Sequence, residues 1–285
     1  MPDSSEHPVD SSSRGFRIAL GLYLGVLVAG VAASVAATGQ VSDAVLAAVF
    51  VGGLATGTIL GIVAAWLDDD LAVRLGRSRR RRALLVLPGA PGLLGAATAS
   101  WSWSPIASAL VATGSSLAVL VVGYVLGAVA RTEYVKTVAA DEPIGTWNWT
   151  PPGGGRADAV LAVLWGVLAL GNAIDGNFAA AVVWLLIALG WIVAGAIEGR
   201  WRTPWGVDPE IRVHEDGLVK RRPFTKTFVP WDEVAHVRLR EDELVLDRGL
   251  FDVRLERSEL AELEAVRETI ERRFEAAGAN ARSVP

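Results

Sequence analysis

Acid–base, metal or nucleophilic chemistry needs titrating or coordinating side chains held close together, and this chain offers few. It has three histidines, His7, His214 and His236, and no cysteine. His7 lies in a polar N-terminal stretch; the other two sit among charged neighbours on alternating segments. No histidine pair has helical metal-ligand spacing, and no HExxH, P-loop or GxSxG run is present. Without cysteine, disulfides, thiolate nucleophiles and cysteine metal sites are excluded. The expectation is a protein that is not an enzyme and holds no metal or cofactor.

Binding is better represented. Lys220, Arg221, Arg222 and Lys226 form a short basic cluster. Against an anionic leaflet each such charge contributes about 1 kcal/mol; the alternative is a solvated or salt-bridged face. Asp175, between Asn172 and Asn177, reads as a polar turn residue or as part of an ion gate. Gly53, Gly57 and Gly61 recur at every fourth position, as do Gly21 with Gly25 and Gly123 with Gly127. That spacing lets helix backbones approach closely, within the chain or along a seam between two copies.

The elements that position these groups are mostly built for lipid. The chain is 52% hydrophobic with charge concentrated after Arg200, a distribution unlike that of an ordinary soluble domain. A membrane helix needs about 20 apolar residues. The segments Ile18–Ala37, Ala44–Leu67, Ala83–Ser100, Ile106–Ala130, Ala159–Ile174 and Phe178–Ile197 are the candidates. The third carries Pro88 and Pro91 and is expected to kink. The fifth is short, either a tilted span or half of a re-entrant hairpin. Thr38–Asp43, Trp101–Pro105 and Asp175–Asn177 contain no Lys or Arg, whereas the alternate segments hold Arg14, Arg17, Arg74, Arg77, Arg79–Arg82, Arg131, Lys136, Arg156, Arg200 and Arg202. Basic residues are retained on the cytoplasmic side, so both termini are expected there, in a multi-pass cell-membrane protein. Trp66 and Trp201 fall at inner boundaries, Trp101 and Trp103 at an outer one.

After Arg200 the pattern changes to a meander. Ile211 and Val213 alternate with charges up to Asp216-Gly217, Val237 and Leu239 with His236, Arg238 and Arg240, and Phe251, Val253 and Leu255 with Asp252, Arg254 and Glu256. This period of two marks strands with one buried face. Asp216-Gly217 and Asp247-Arg-Gly249 are turn signals. Ser258 then caps an expected helix with apolar positions Leu260, Leu263, Val266, Ile270 and Phe274. A strand ending in Glu215-Asp216-Gly217, a basic second strand, the step Val229-Pro-Trp-Asp-Glu-Val234, short strands and one terminal helix together resemble the prokaryotic pleckstrin-homology-like (PH-like) domains that follow transmembrane hairpins. The resemblance covers residues 205–277 and implies a seven-stranded antiparallel fold whose basic edge can face anionic head groups.

The expected class is a polytopic α-helical membrane protein of about six spans with a C-terminal α+β PH-like domain. Its organisation would be a disordered tail (1–15), four membrane helices (16–130), a cytoplasmic linker (131–158), a membrane hairpin (159–200), the PH-like domain (201–278) and a short tail (279–285). The expected role is a scaffold or regulator whose partners are membrane lipids, another protein or a second copy of the chain, and not nucleic acid. The alternative is a small-solute transporter or channel lined by the kinked third and short fifth spans.

Overall fold

The computed structural model describes residues 9–39, 41–90, 106–153, 155–201, 206–249, 252–260 and 262–283. The chain forms two compact units: Met1–Tyr134 with Gly155–Ala194, and Val135–Gly154 with Gly195–Pro285.

The first unit is helical. α1 (Val9–Thr38) and α2 (Asp43–Leu67) form a hairpin, and the Ser42 hydroxyl accepts the Val45 N–H at 3.5 Å to cap α2. α1 begins inside the stretch expected to be a disordered tail; residues 1–8 lie outside the described ones. The two helices meet through absent side chains. A Cβ on Gly53 would fall 2.9 Å from the Ala29 Cα, on Gly57 2.8 Å from the Gly25 Cα, and on Gly61 2.7 Å from the Gly21 Cα. Backbones this close gain dispersion contacts that lipid tails cannot replace. Phe16, Leu20, Tyr23, Ala65, Val119 and Leu126 fill the unit's core.

Two short helices follow, α3 (Leu71–Arg77) and α4 (Arg79–Val86). At Pro88 the helical path tightens into a 3₁₀ turn, Leu87–Gly89, because proline removes one backbone donor. The rest of the expected third span, 91–100, lies outside the described residues. α5 (Ile106–Val138) continues past the expected end at Ala130. Hydropathy falls at Arg131, but no helix breaker occurs until Asp141-Glu142-Pro143, where proline disfavours helix in the preceding residue. α6 (Arg156–Ile174) is 19 residues long rather than short, and α7 (Phe178–Ile197) has 20. Five described helices are long and apolar enough to cross a membrane.

The second unit contains two antiparallel sheets. One has the order β1 (Gly145–Asn148), β2 (Glu210–Val213), β3 (Gly217–Arg221), β4 (Lys226–Pro230); the other has β5 (His236–Leu239), β6 (Glu243–Asp247), β7 (Val253–Glu256). Their inner faces and α8 (Leu263–Ser283) bury Trp149, Ile211, Val213, Leu218, Val229, Trp231, Leu244, Leu246, Leu255, Leu260, Leu263, Val266 and Ile270. The residues expected as a linker, 131–158, instead supply the first strand and a core tryptophan. β1 pairs with β2 through Gly145–Val213, Thr146–Arg212, Trp147–Ile211 and Asn148–Glu210. The hairpin α6–α7 is therefore an insertion between two neighbouring strands of one sheet.

Two local expectations change. α8 starts at Leu263, not after Ser258, whose hydroxyl donates instead to Glu256 at 3.3 Å. Gly217 keeps a negative φ; its role is close approach, since a Cβ there would meet the Val229 carbonyl oxygen at 2.5 Å. Gly249 does take φ +76°, as the Asp247-Arg-Gly turn requires.

Candidate membrane-surface site

The register of the four-stranded sheet places Asn148, Glu210, Arg221 and Lys226 in one row across its end. From this row the chain leaves after β1 into α6 and returns from α7 into β2. The turn Arg222–Thr225 joins β3 to β4 at the same end, closed by the Arg222 N–H donating to the Thr225 carbonyl at 2.7 Å.

That turn is fastened to the last turn of α7. The buried Thr225 hydroxyl donates to the Ile197 carbonyl at 3.3 Å. α7 ends in a Schellman motif: the Gly199 N–H reaches the Ala196 carbonyl at 3.1 Å and the Arg200 N–H the Gly195 carbonyl at 2.8 Å. Gly199 sits at φ +73°, and a Cβ on it would lie 3.3 Å from Pro223 and 3.4 Å from Pro151. One helix end thus touches both the β3–β4 turn and the segment after β1.

The four basic residues come together at this end in different electrostatic states. Arg221 Nη1 donates to Glu210 Oε1 at 2.6 Å, and Arg212 Nε donates to Glu210 Oε2 at 3.0 Å. Burial raises the Glu210 carboxyl, but these two arginines outweigh it and hold the group below its ordinary range. Lys220 Nζ lies 5.2 Å from the Trp149 ring centre and the Arg222 guanidinium 5.7 Å from it. Trp149 Nε1 donates to Glu259 Oε2 at 2.9 Å. Although part of the Lys220 side chain reaches solvent, burial of its ammonium, with Arg222 adding repulsion and Glu259 opposing it, lowers its pKa to about 8. Lys226 ends the row beside Arg221. Arg221 is thus matched by a carboxylate and Lys220 faces inward, while Arg222 and Lys226 lie at the two ends of the β3–β4 connection.

Trp149, Glu210, Thr225 and Glu259 belong to this site but carry no chemical motif. The alternation Thr146-Trp147-Asn148-Trp149 was the available signal of a strand with one aromatic face. Elsewhere, the helix-facing glycines separate by environment. Gly53, Gly57, Gly61 and Gly123 meet a neighbouring backbone, Gly123 with its Cβ position 2.7 Å from the Leu85 carbonyl oxygen. Gly127 makes only ordinary contact, 3.6 Å from the Arg82 Cβ. His214 is buried with Nδ1 3.1 Å from Asp141 Oδ1, while His236 is exposed on β5. His7 lies outside the described residues.

Seven antiparallel strands in two sheets, counted among the described residues and closed by a C-terminal helix, form a PH-like arrangement. Residues 208–283 match the family model described as Bacterial PH domain. The match begins after the inserted hairpin, so it leaves out β1, which the structure adds to the same sheet. No curated protein and no solved structure matches the chain.

Proposed function

We propose that this is a non-catalytic, multi-pass protein of the cell membrane, with both termini cytoplasmic, whose PH-like domain engages the anionic inner leaflet and serves as a scaffold or regulator there. One observation carries the reading: the membrane hairpin is inserted between β1 and β2, at the sheet end that bears Lys220, Arg221, Arg222 and Lys226. Strands that pair share one aqueous compartment, so α6 and α7 together cross an even number of times. The fastening of Thr225 to Ile197 supports a basic turn held next to the bilayer rather than reaching it by diffusion. At that position each basic charge facing the leaflet contributes about 1 kcal/mol, screened by salt over roughly 10 Å. A transporter or channel is the alternative.

The test uses the full chain, because residues 201–285 alone would lack β1 and present a bare β2 edge. In lipid nanodiscs, hydrogen exchange across residues 217–230 should slow when zwitterionic lipid is partly replaced by anionic lipid. The difference should shrink as salt rises and vanish in the double variant Arg222→Gln, Lys226→Gln. Equal exchange in both bilayers would refute lipid engagement and leave a protein partner as the domain's ligand.

A further inference from the structure

Among the described residues of the second unit, the exposed large hydrophobic side chains are Ile144, Val207, Phe224 and Leu239. Ile144 lies at the opposite end of the sheet, before the row Gly145–Val213–Leu218–Val229, and Leu239 lies on the second sheet. Val207 and Phe224 share one location. The Val207 N–H donates to the Pro223 carbonyl at 3.4 Å, and Phe224 is the next residue of the same turn. Its other neighbour, Thr225, is bonded to Ile197, the last residue of a membrane-length helix. The Phe224 Cα is therefore about 3.8 Å from that of a residue tied directly to the end of a span.

A turn selects glycine, asparagine, aspartate or serine for its conformation. Phenylalanine at 44% exposure, with valine beside it at 43%, satisfies no such need and is unfavourable in water. Apolar side chains such as Trp, Phe and Leu seat surface-lying segments at the boundary between acyl chains and head groups. Of the exposed apolar side chains on this unit, these two are the ones on segments bonded to that boundary.

We propose that Phe224 and Val207 form an apolar foot seated in the bilayer interface, with the lipid head-group and upper acyl region as its occupant. This rests on the domain lying at the lipid surface, but it adds a contact that depends on apolar burial rather than on charge. The two contributions separate experimentally: a seat made by Phe224 and Val207 persists in neutral lipid and at high salt, where attraction by Arg222 and Lys226 fades.

The absence of cysteine makes single-site labelling direct. Full-length Phe224→Cys, Val207→Cys and Asp216→Cys, each carrying a nitroxide, are placed in neutral and in anionic nanodiscs. The last is exposed at the far end of the sheet. Accessibility to lipid-soluble oxygen is compared with accessibility to a water-soluble nickel chelate, and intrinsic tryptophan emission confirms that each variant is folded. The expected result is high oxygen and low nickel accessibility at 224 and 207 in both lipids and at both salt levels, with the reverse at 216. Nickel accessibility at 224 and 207 equal to that at 216 would overturn the proposal. Shielding seen only in anionic lipid would also overturn it, while leaving the charge-based reading intact. Shielding in neutral lipid with no hydrogen-exchange response to anionic lipid would keep the apolar foot and remove that reading.

Discussion

The two long apolar hairpins pack in different ways. α1 and α2 touch backbone to backbone along Gly53, Gly57 and Gly61, so their association is written into their own surfaces. α6 and α7 meet through side chains, with Trp165 against Trp191 edge to face at 5.3 Å, and a Cβ on Gly166 or Gly171 would meet nothing within 4 Å. On either side of this hairpin the chain leads to a strand of the same sheet, β1 before it and β2 after it. One hairpin is packed at its glycines; the other is bracketed in sequence by β1 and β2.

The comparison breaks first at Trp149. Trp149→Ala empties a core position and removes the indole donor to Glu259, at an expected cost of about 3–5 kcal/mol. Limited proteolysis should then cut residues 135–154 and 206–283 while α1–α2 stays protected. If instead both regions open together, the two units are not separately stabilised. Gly57→Leu makes the opposite demand. The α1 backbone has no room for the side chain, so a loss of about 3 kcal/mol or more is expected, against less than about 0.5 kcal/mol for Gly166→Leu. Thermal unfolding in detergent checks the contrast; equal effects would erase it.

Smaller changes sharpen the role of the sheet. Thr225→Val removes the hydroxyl donor to Ile197, costing about 1 kcal/mol. Hydrogen exchange at 222–226 should rise while exchange in β2 is unchanged. Lys220 gives a pH signature. Its folded pKa of about 8 lies below the value of 10.5 for an exposed lysine. Between those values the unfolded chain binds more protons, so the second unit should gain stability as pH rises from 8 to 10.5, by about 1 kcal/mol after solvent screening. Lys220→Met should flatten that rise, as followed by chemical denaturation at fixed pH steps.

Much of this architecture is legible in the residues, because long uncharged runs mark the apolar helices and a half-buried sheet demands alternation. The terminal helix and the strands from Ile211 to Leu255 follow from local period alone. β1 does not. It is four residues long, and its partner lies beyond both α6 and α7, so no local pattern joins Trp147 to Ile211. The basic cluster is visible as composition, but its charge states are not. Glu210 and Glu259 are distant in sequence from this strand; the register sets Glu210 opposite Asn148, and the fold brings Glu259 to the Trp149 indole. Gly217 shows the same limit: Asp-Gly announces a turn, whereas the approach of Val229 is set by the β3–β4 register.

The position of β1 also orders the birth of the domain. Gly145–Asn148 leaves the ribosome before α6 and α7, and its pairing partner Glu210–Val213 is made only after both. The first strand waits for its neighbour until both helices have been made. Closure of the sheet is then a late folding step, and until β2 is made β1 presents an open strand edge.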